Sequence, residues 1–282
     1  MTHKKLFKTS AIVSGIILVL MMILRNAQSE IFTVLSGSLG LVIFYTLLYY
    51  LFQTEKIKFG ATNPTLKPFM YNDSTDGSIV FHAYPSSTTR NTKYSRSELR
   101  EQMKPGENNV NWTFKDGAYM RGVLSVPEVT KDENGKYHRV IIMQIHGRLT
   151  NEQRDLIGED DNNAPPILKI YWDKGKIRIK TKVLKDENAT DTELLHEHAW
   201  GNDEGYNFPQ QVGKRKFQLE VIVKDGEMEI ILNKIHRAKY KDESIKRWGI
   251  FENYFKAGNY LSTTDANASS TVKYYDLKIS HE

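Results

Sequence analysis

Residues 217–233 read Phe-Gln-Leu-Glu-Val-Ile-Val-Lys-Asp-Gly-Glu-Met-Glu-Ile-Ile-Leu-Asn, and this stretch decides the fold class. Apolar and polar residues alternate on both sides of Asp225-Gly226. Alternation with a period of two is the pattern of a half-buried β-strand, and Asp-Gly is a preferred two-residue hairpin turn. The stretch therefore predicts an antiparallel hairpin with one face in a core.

The same signature recurs through residues 69–282, where short runs rich in Val, Ile and aromatic residues are separated by turn signals such as Asp173-Lys174-Gly175. Many short strands without helical periodicity predict an all-β fold, an antiparallel β-sandwich or jelly roll. Residues 149–166 carry an acidic cluster and a Pro-Pro pair, and we interpret them as a loop, either a lid or an acidic surface loop. We predict strands at 96–100, 118–126, 139–146, 167–172, 176–183, 217–224, 227–233, 248–254 and 271–279.

Residues 1–55 differ in kind from the rest of the chain. They contain two apolar runs, 11–24 and 31–52, separated by a polar break. At about 1.5 Å per residue the second run reaches roughly 33 Å, enough for a hydrocarbon core of about 30 Å. We expect a membrane anchor of one or two transmembrane helices in residues 1–55, a polar linker at 56–68 and a β-domain at 69–282.

Composition narrows the function classes. The net charge of +5 suits a polyanionic partner, but no nucleic-acid motif accompanies it, so we expect no nucleic acid to bind. The chain has no cysteine, which excludes disulfides and cysteine-ligated metal. His196 and His198 lie beside Glu193 and Glu197 without a further ligand at a recognisable spacing, and we predict no metal site.

Three short stretches carry unusual rows of polar residues. Because successive side chains of a strand point to opposite faces, every second residue shares a face. This rule aligns Tyr254, Lys256 and Tyr260 around Gly258, and it equally aligns two further rows. The further rows are Arg96, Glu98 and Arg100 in one strand and Gln144, His146 and Arg148 in another.

A cationic face that includes a tyrosine suits β-elimination on a uronate polymer. Removing the C5 proton places charge on the adjacent carboxylate, which Arg96 and Gln144 are suited to neutralise. A tyrosine titrates near 10, and lowering its pKa to about 7 needs roughly 4 kcal/mol of preferential phenolate stabilisation. Nearby Arg96, His146 and Lys256 can supply it. Glycoside hydrolysis is disfavoured, because Glu98 between two arginines is expected to be ionised and has no partner acid.

The segments Arg96-Ser97-Glu98-Leu99-Arg100, Gln144-Ile145-His146 and Tyr254-Phe255-Lys256-Ala257-Gly258-Asn259-Tyr260 resemble the three signature motifs of the alginate lyases of polysaccharide lyase family 7. Their order and wide spacing agree with that family, and the resemblance covers roughly residues 57–282. It implies a β-jelly roll whose concave sheet holds the polymer. It also implies endolytic cleavage by elimination, with no required metal or other cofactor.

The resemblance also implies roles for individual residues. Tyr260 is expected to be the acid/base, His146 a base or the group that tunes Tyr260, and Arg96 and Gln144 the groups that neutralise the carboxylate. Sugar binding is expected from Glu98, Arg100, Tyr254 and Lys256, with Arg148 added from the row of His146. Ile145 in the middle of the Gln-x-His motif is associated with guluronate-containing substrate.

Two features depart from the family pattern. Ser262 stands where the family commonly has glutamine, which concerns a sugar subsite, and the paired apolar runs are unlike a secreted enzyme. The lysines on both sides of the anchor leave its orientation open, but a polymeric substrate favours a domain outside the cytoplasm. We expect a membrane-tethered, monomeric enzyme. Two alternatives remain at this stage: a lyase for another polyuronate such as glucuronan, and a non-catalytic carbohydrate-binding module.

Overall fold

The computed structural model of the chain describes residues 64–86 and 93–281, in which the strands form two antiparallel sheets. We call them the back sheet and the front sheet. The back sheet has the strand order β1-β2-β14-β4-β10-β11-β12. Its strands are β1 Met70–Asn72, β2 Ile79–Ala83, β4 Ala118–Val129, β10 Phe217–Lys224, β11 Glu227–Leu232, β12 His236–Tyr240 and β14 Ser270–Ser280.

The front sheet has the order β3-β13-β5-β6-β7-β8, and β9 also pairs with β7. Strand β13, next to the edge strand β3, lies between β3 and β5 although it is far from both in sequence. The all-β antiparallel architecture predicted from the sequence is confirmed. The strands are β3 Arg96–Arg100, β5 Val140–Arg148, β6 Asn163–Asp173, β7 Lys176–Leu184, β8 Trp200–Asn202, β9 Tyr206–Gln211 and β13 Glu252–Leu261.

The hairpin predicted around Asp225-Gly226 is present as β10 and β11. Lys224 pairs with Glu227, and both turn residues have positive φ, 51° at Asp225 and 76° at Gly226. Positive φ at both central positions is the requirement of a type I′ turn, which matches the twist of the flanking strands. The turn therefore fixes the register that places the apolar row of each strand in the core.

Two sequence predictions were wrong in detail. Residues 149–166 are not one loop, since a helix, α1 Asn151–Ile157, is followed by the start of β6 at Asn163. The Thr150 side chain and Gln153 form a capping box at its start, and Gly158 ends it with φ of 71°. The strand predicted at 248–254 begins instead at Glu252, because Trp248–Ile250 forms a 3-10 helix. Two further short helices are α2 Asp191–Leu194 and α3 Glu243–Arg247.

One hydrophobic core lies between the sheets and receives apolar side chains from both. Phe81, Leu124 and Val221 come from the back sheet, and Ile145 and Phe255 from the front sheet, all with no more than a trace of exposure. This burial leaves the opposite face of the front sheet for polar residues. The alternation along β13 shows it, since Phe255 and Ala257 are core residues while Tyr254 is only partly buried.

The predicted membrane anchor, with its apolar runs 11–24 and 31–52, lies outside the described residues, as does most of the linker at 56–68. These domain assignments stay predictions. In residues 64–86 and 93–281, no helix has the length and apolar character needed to cross a bilayer.

Candidate active site

The three polar rows meet on one face of the front sheet. Along β13, Lys256 pairs with Arg100 on one side and with Gln144 on the other. Tyr254 lies opposite His146, and Tyr260 lies opposite Arg96. The strand pairing thus brings residues that are more than a hundred positions apart in sequence onto three adjacent strands.

Two irregularities shape the surface around Tyr260. The pairing of β13 with β5 shifts between Ala257 and Tyr260, and that of β5 with β6 shifts between Ile141 and Met143. The shift between Ile141 and Met143 lets Ile142 and Met143 both enter the core, while Ile141 is buried outside the core cluster. Ile141 consequently pairs with Tyr260 on one side and with Tyr171 on the other.

Gly258 permits close contact between β13 and β3. Its φ is 152°, and a Cβ at this position would lie 2.4 Å from the backbone oxygen of Ser97 and 2.7 Å from the Cα of Glu98. No other residue type fits there without moving β3. Gly258, which has no side chain between Lys256 and Tyr260, is therefore the place where the backbone that carries Arg96 and Glu98 approaches β13.

Glu98 connects two of the predicted site residues. Its carboxylate accepts a hydrogen bond from Lys256 Nζ at 2.5 Å and one from Gln144 Nε2 at 2.6 Å, one on each oxygen. The side chains of Glu98 and Lys256 are 4% and 9% exposed, and Arg96 Nε lies 3.8 Å from the same carboxylate. With one hydrogen bond on each oxygen, Glu98 orients Gln144 and Lys256, and its expected contact with sugar stays a prediction.

His146 is held as a neutral imidazole. Its Nδ1 lies 3.0 Å from the carbonyl oxygen of Gly147, and since a carbonyl can only accept, Nδ1 carries the proton. Burial, helped by the positive charges of Lys256, Lys169 and Arg96, lowers the pKa of His146 to about 3 against the opposing effect of the hydrogen bond to Gly147. The Nε2 atom is thereby left with a lone pair, which is the form that a general base or hydrogen-bond acceptor requires.

Tyr254 lies between His146 and Arg100. Its ring stacks on His146 with centroids 5.2 Å apart and planes 16° from parallel, and Arg100 Cζ lies 3.9 Å from the ring centroid. The Arg100 guanidinium also donates to the Asn108 side chain at 2.8 Å. Burial raises the pKa of Tyr254, so its hydroxyl stays protonated near neutral pH.

Arg148, placed in the sugar-binding set by the sequence, borders a depression at one end of these rows. Its Nη1 lies 2.5 Å from Glu252 Oε2, so its charge is already partnered. The depression has a volume of about 530 Å³ and is lined by Arg148, Arg100 and Tyr254 together with residues of the 106–109 and 161–163 segments. Its volume lies within the range of small-molecule sites, and its lining is mostly polar.

Tyr260 lies in an aromatic and cationic environment at the other end of the rows. Arg96 Cζ is 5.6 Å from its ring centroid, and the Tyr94 ring centroid lies 6.3 Å away. Tyr260 and His146 lie on the same sheet face, on either side of the pair formed by Gln144 and Lys256.

Sequence reasoning missed a group of residues on β6 and β7 that extends this face. Lys169 lies directly opposite Gln144, and Lys180 lies directly opposite Lys169. Two residues further along β6, Tyr171 lies directly opposite Arg178 on β7. The alternating polar residues of both strands were the available signal, but no motif marked them as part of a site.

The histidine pair predicted not to bind metal lies in the segment between α2 and β8. The rings of His196 and His198 stack with centroids 5.1 Å apart. No group of three or more His, Asp or Glu side chains arranged to hold a metal occurs in residues 64–86 and 93–281.

Residues 52–281 match the sequence profile of a protein family described as alginate lyase. Among solved structures the chain is similar to alginate lyase A1-II′ of polysaccharide lyase family 7, with a TM-score of 0.61 and 27% identity, covering 79% of this chain and 86% of that one. A complex of A1-II′ with a product has a TM-score of 0.60 and 26% identity, and the match covers 76% of this chain and 84% of that one. Alginate lyase PA1167 from Pseudomonas aeruginosa, 21% identical over 76% of this chain and 86% of that one, shares the fold with a TM-score of 0.57. No curated protein sequence matches significantly.

Proposed function

The chain belongs to the alginate lyases of polysaccharide lyase family 7, and on this premise we propose that it cleaves alginate by β-elimination at the polar face of the front sheet. The observation that carries the proposal is that Arg96, Gln144, His146 and Tyr260 lie on three adjacent strands with their rows on one face. A1-II′ has been solved with a product, GGG, and with a substrate, GGMG. An oligomer of acidic sugars is therefore the substrate class we propose here.

The reaction removes the proton on C5 of a uronate and expels the glycosidic oxygen on C4. Negative charge develops on the carboxylate oxygens, and donors aimed at them stabilise that transition state. Arg96 supplies a positive charge, and Gln144 keeps one amide hydrogen beyond the one given to Glu98. The C5–H bond breaks, a C4–C5 double bond forms, and the C4–O bond breaks as the leaving oxygen takes a proton.

Proton transfer is assigned to Tyr260 and His146. We propose that the Tyr260 oxygen accepts the C5 proton and that a proton returns from it to the leaving oxygen. His146, neutral with its Nε2 lone pair available, either accepts the C5 proton itself or accepts a hydrogen bond from the Tyr260 hydroxyl and so orients that group. Glu98 accepts one hydrogen bond from Gln144 and one from Lys256 and so positions both side chains beneath the sugar.

Two finer assignments are also proposed. Guluronate-containing blocks are the favoured substrate because of Ile145, although this residue is wholly buried in the core and can act only through its neighbours Gln144 and His146. A tether formed by residues 1–55 would hold the domain at a membrane, with the domain outside the cytoplasm. Protease accessibility of the domain in intact cells tests the location.

The function is tested by incubating the purified full-length chain with alginate, polyguluronate, polymannuronate and glucuronan. Each cleavage creates an unsaturated end that absorbs in the ultraviolet, so absorbance should rise with alginate and fastest with guluronate-rich polymer. A rise with glucuronan alone would change the substrate to another polyuronate. Binding of alginate without any absorbance change would instead support a non-catalytic carbohydrate-binding module.

A further inference from the structure

A line of directly paired polar residues crosses five strands of the front sheet. Arg100 on β3 pairs with Lys256 on β13, which pairs with Gln144 on β5. Gln144 pairs with Lys169 on β6, and Lys169 pairs with Lys180 on β7. Four of these five side chains are cationic, and directly opposed residues lie about 5 Å apart on a shared face.

The cations at the β6–β7 end of this line are poorly neutralised. In residues 64–86 and 93–281, Lys169 has no hydrogen bond or ion pair, and Lys180 Nζ contacts only the backbone oxygen of Asp203, at 3.2 Å. Burial lowers the pKa of Lys169, and the charges of Lys182, Lys180 and Lys256 add to this effect against the opposing charge of Glu197. Like charges placed directly opposite one another destabilise a sheet. A bound polyanion would neutralise the charges of Lys169 and Lys180 and so relieve their repulsion.

We propose that Lys169 and Lys180 bind the carboxylates of the uronate residues that lie next to the reacting sugar, so that the polymer crosses the strands along this line. This inference rests on the proposed function and extends it by naming two further substrate-binding residues and the direction of the chain. Neighbouring strands are about 4.8 Å apart, which is comparable to the length of one pyranose residue with its glycosidic oxygen. Successive sugars can thus meet successive lysines.

The test measures binding separately from catalysis. Lys169→Gln and Lys180→Gln are made in the full-length chain, alone and combined with Tyr260→Phe, which is intended to remove turnover. Lys278→Gln is the matched control, because Lys278 is a partly buried lysine on the back sheet, opposite Arg121. Titration calorimetry then gives the affinity of each Tyr260→Phe variant for an alginate hexamer and for the same hexamer with its carboxylates reduced to alcohols.

Each front-sheet substitution should weaken hexamer binding by about tenfold, since a charge-assisted contact is lost. Lys278→Gln should change affinity by less than about twofold, as expected for a distant surface charge. The reduced hexamer should bind weakly and equally to all variants. In the active background, KM should rise and kcat should be nearly unchanged, because neither lysine contacts the reacting atoms.

The inference is overturned if the Lys169→Gln and Lys180→Gln variants bind the hexamer as tightly as the Lys278→Gln variant does. This holds whether or not the unmodified chain cleaves alginate. Loss of affinity accompanied by a fall in melting temperature would assign the lysines a structural role and would also overturn it. The proposed function fails separately, if no polyuronate is cleaved. In that case, the binding measurements on the unmodified chain and the lysine variants still decide whether this line holds acidic sugars.

Discussion

His146 lies flat against Tyr254, with ring centroids 5.2 Å apart, and its Nδ1 donates to the Gly147 carbonyl. This position explains why the ring stays neutral. Solvent is excluded on the side of the tyrosine, and the cations Lys256, Lys169 and Arg96 repel an added proton. The pair thus fixes both the orientation and the protonation state of the proposed base.

The first prediction concerns pH. Because burial and nearby cations lower the pKa of His146 to about 3, its ring signals in NMR should not titrate between about pH 5 and 8, where an unperturbed histidine has its midpoint. Lys169→Gln should raise the pKa by removing a positive charge, whereas Lys278→Gln should not. A midpoint near 6.5 in the unmodified chain would contradict the assignment.

The lowered pKa of His146 also makes the stability of the domain depend on pH. The unfolded chain binds a proton at this histidine as pH falls through about 6.5, while the folded chain does so only near 3. The contribution of a neutral His146 is therefore fully present above about pH 6.5 and is lost as pH falls toward 3. Urea denaturation at several pH values should show a smaller acid-side loss in His146→Gln than in the unmodified chain. An equal loss in both would contradict this.

The second prediction concerns Tyr260. Tyr260→Phe should lower kcat by at least about 10²-fold, because it removes the oxygen assigned to proton transfer. The affinity for alginate oligomers should remain nearly unchanged. Tyr171→Phe is the matched control, since Tyr171 is the next tyrosine on the same face and burial raises its pKa. Normal turnover in Tyr260→Phe, or equal losses in both variants, would refute the role.

The third prediction concerns the buried pair of Glu98 and Lys256. Glu98→Gln should destabilise the domain by about 3–5 kcal/mol, because Lys256 is left as an uncompensated buried charge. Glu252→Gln, which breaks the more exposed pair with Arg148, should have a smaller effect. Chemical denaturation measures both. Equal losses of stability would show that Glu98 does not hold Lys256 as the structure indicates.

The fourth prediction concerns Gly258. Gly258→Ala should destabilise the domain by at least about 1–3 kcal/mol and lower activity, because a Cβ collides with the backbone of Ser97 and Glu98 in an already strained conformation. Gly249→Ala is the control, since a Cβ there meets nothing within 4 Å. Thermal melting and initial rates report the two effects. A fully active and stable Gly258→Ala would mean that β3 can move away without harm.

Much of the fold could be predicted because its signals are local. The alternation in residues 217–233 and the Asp225-Gly226 turn each act within a few residues, so they were sufficient to predict the hairpin. The helix at Asn151–Ile157 was missed because none of its residues is buried, so its sequence shows no apolar periodicity. The capping box at its start was too short a signal to predict it alone. The strand start at Glu252 was misplaced because the aromatic and β-branched residues at 248–251 are typical of a strand, whereas Trp248–Ile250 is a 3-10 helix.

By itself the sequence determined the all-β class, the three polar rows and the chemistry that those rows suit. Only the tertiary structure decided which strands lie side by side, and with them the contacts of Glu98 with Gln144 and Lys256 and the line that continues through Lys169 to Lys180. The physical reason is that alternation fixes the face on which a side chain lies, whereas the identity of its cross-strand neighbour depends on pairing between segments far apart in the chain.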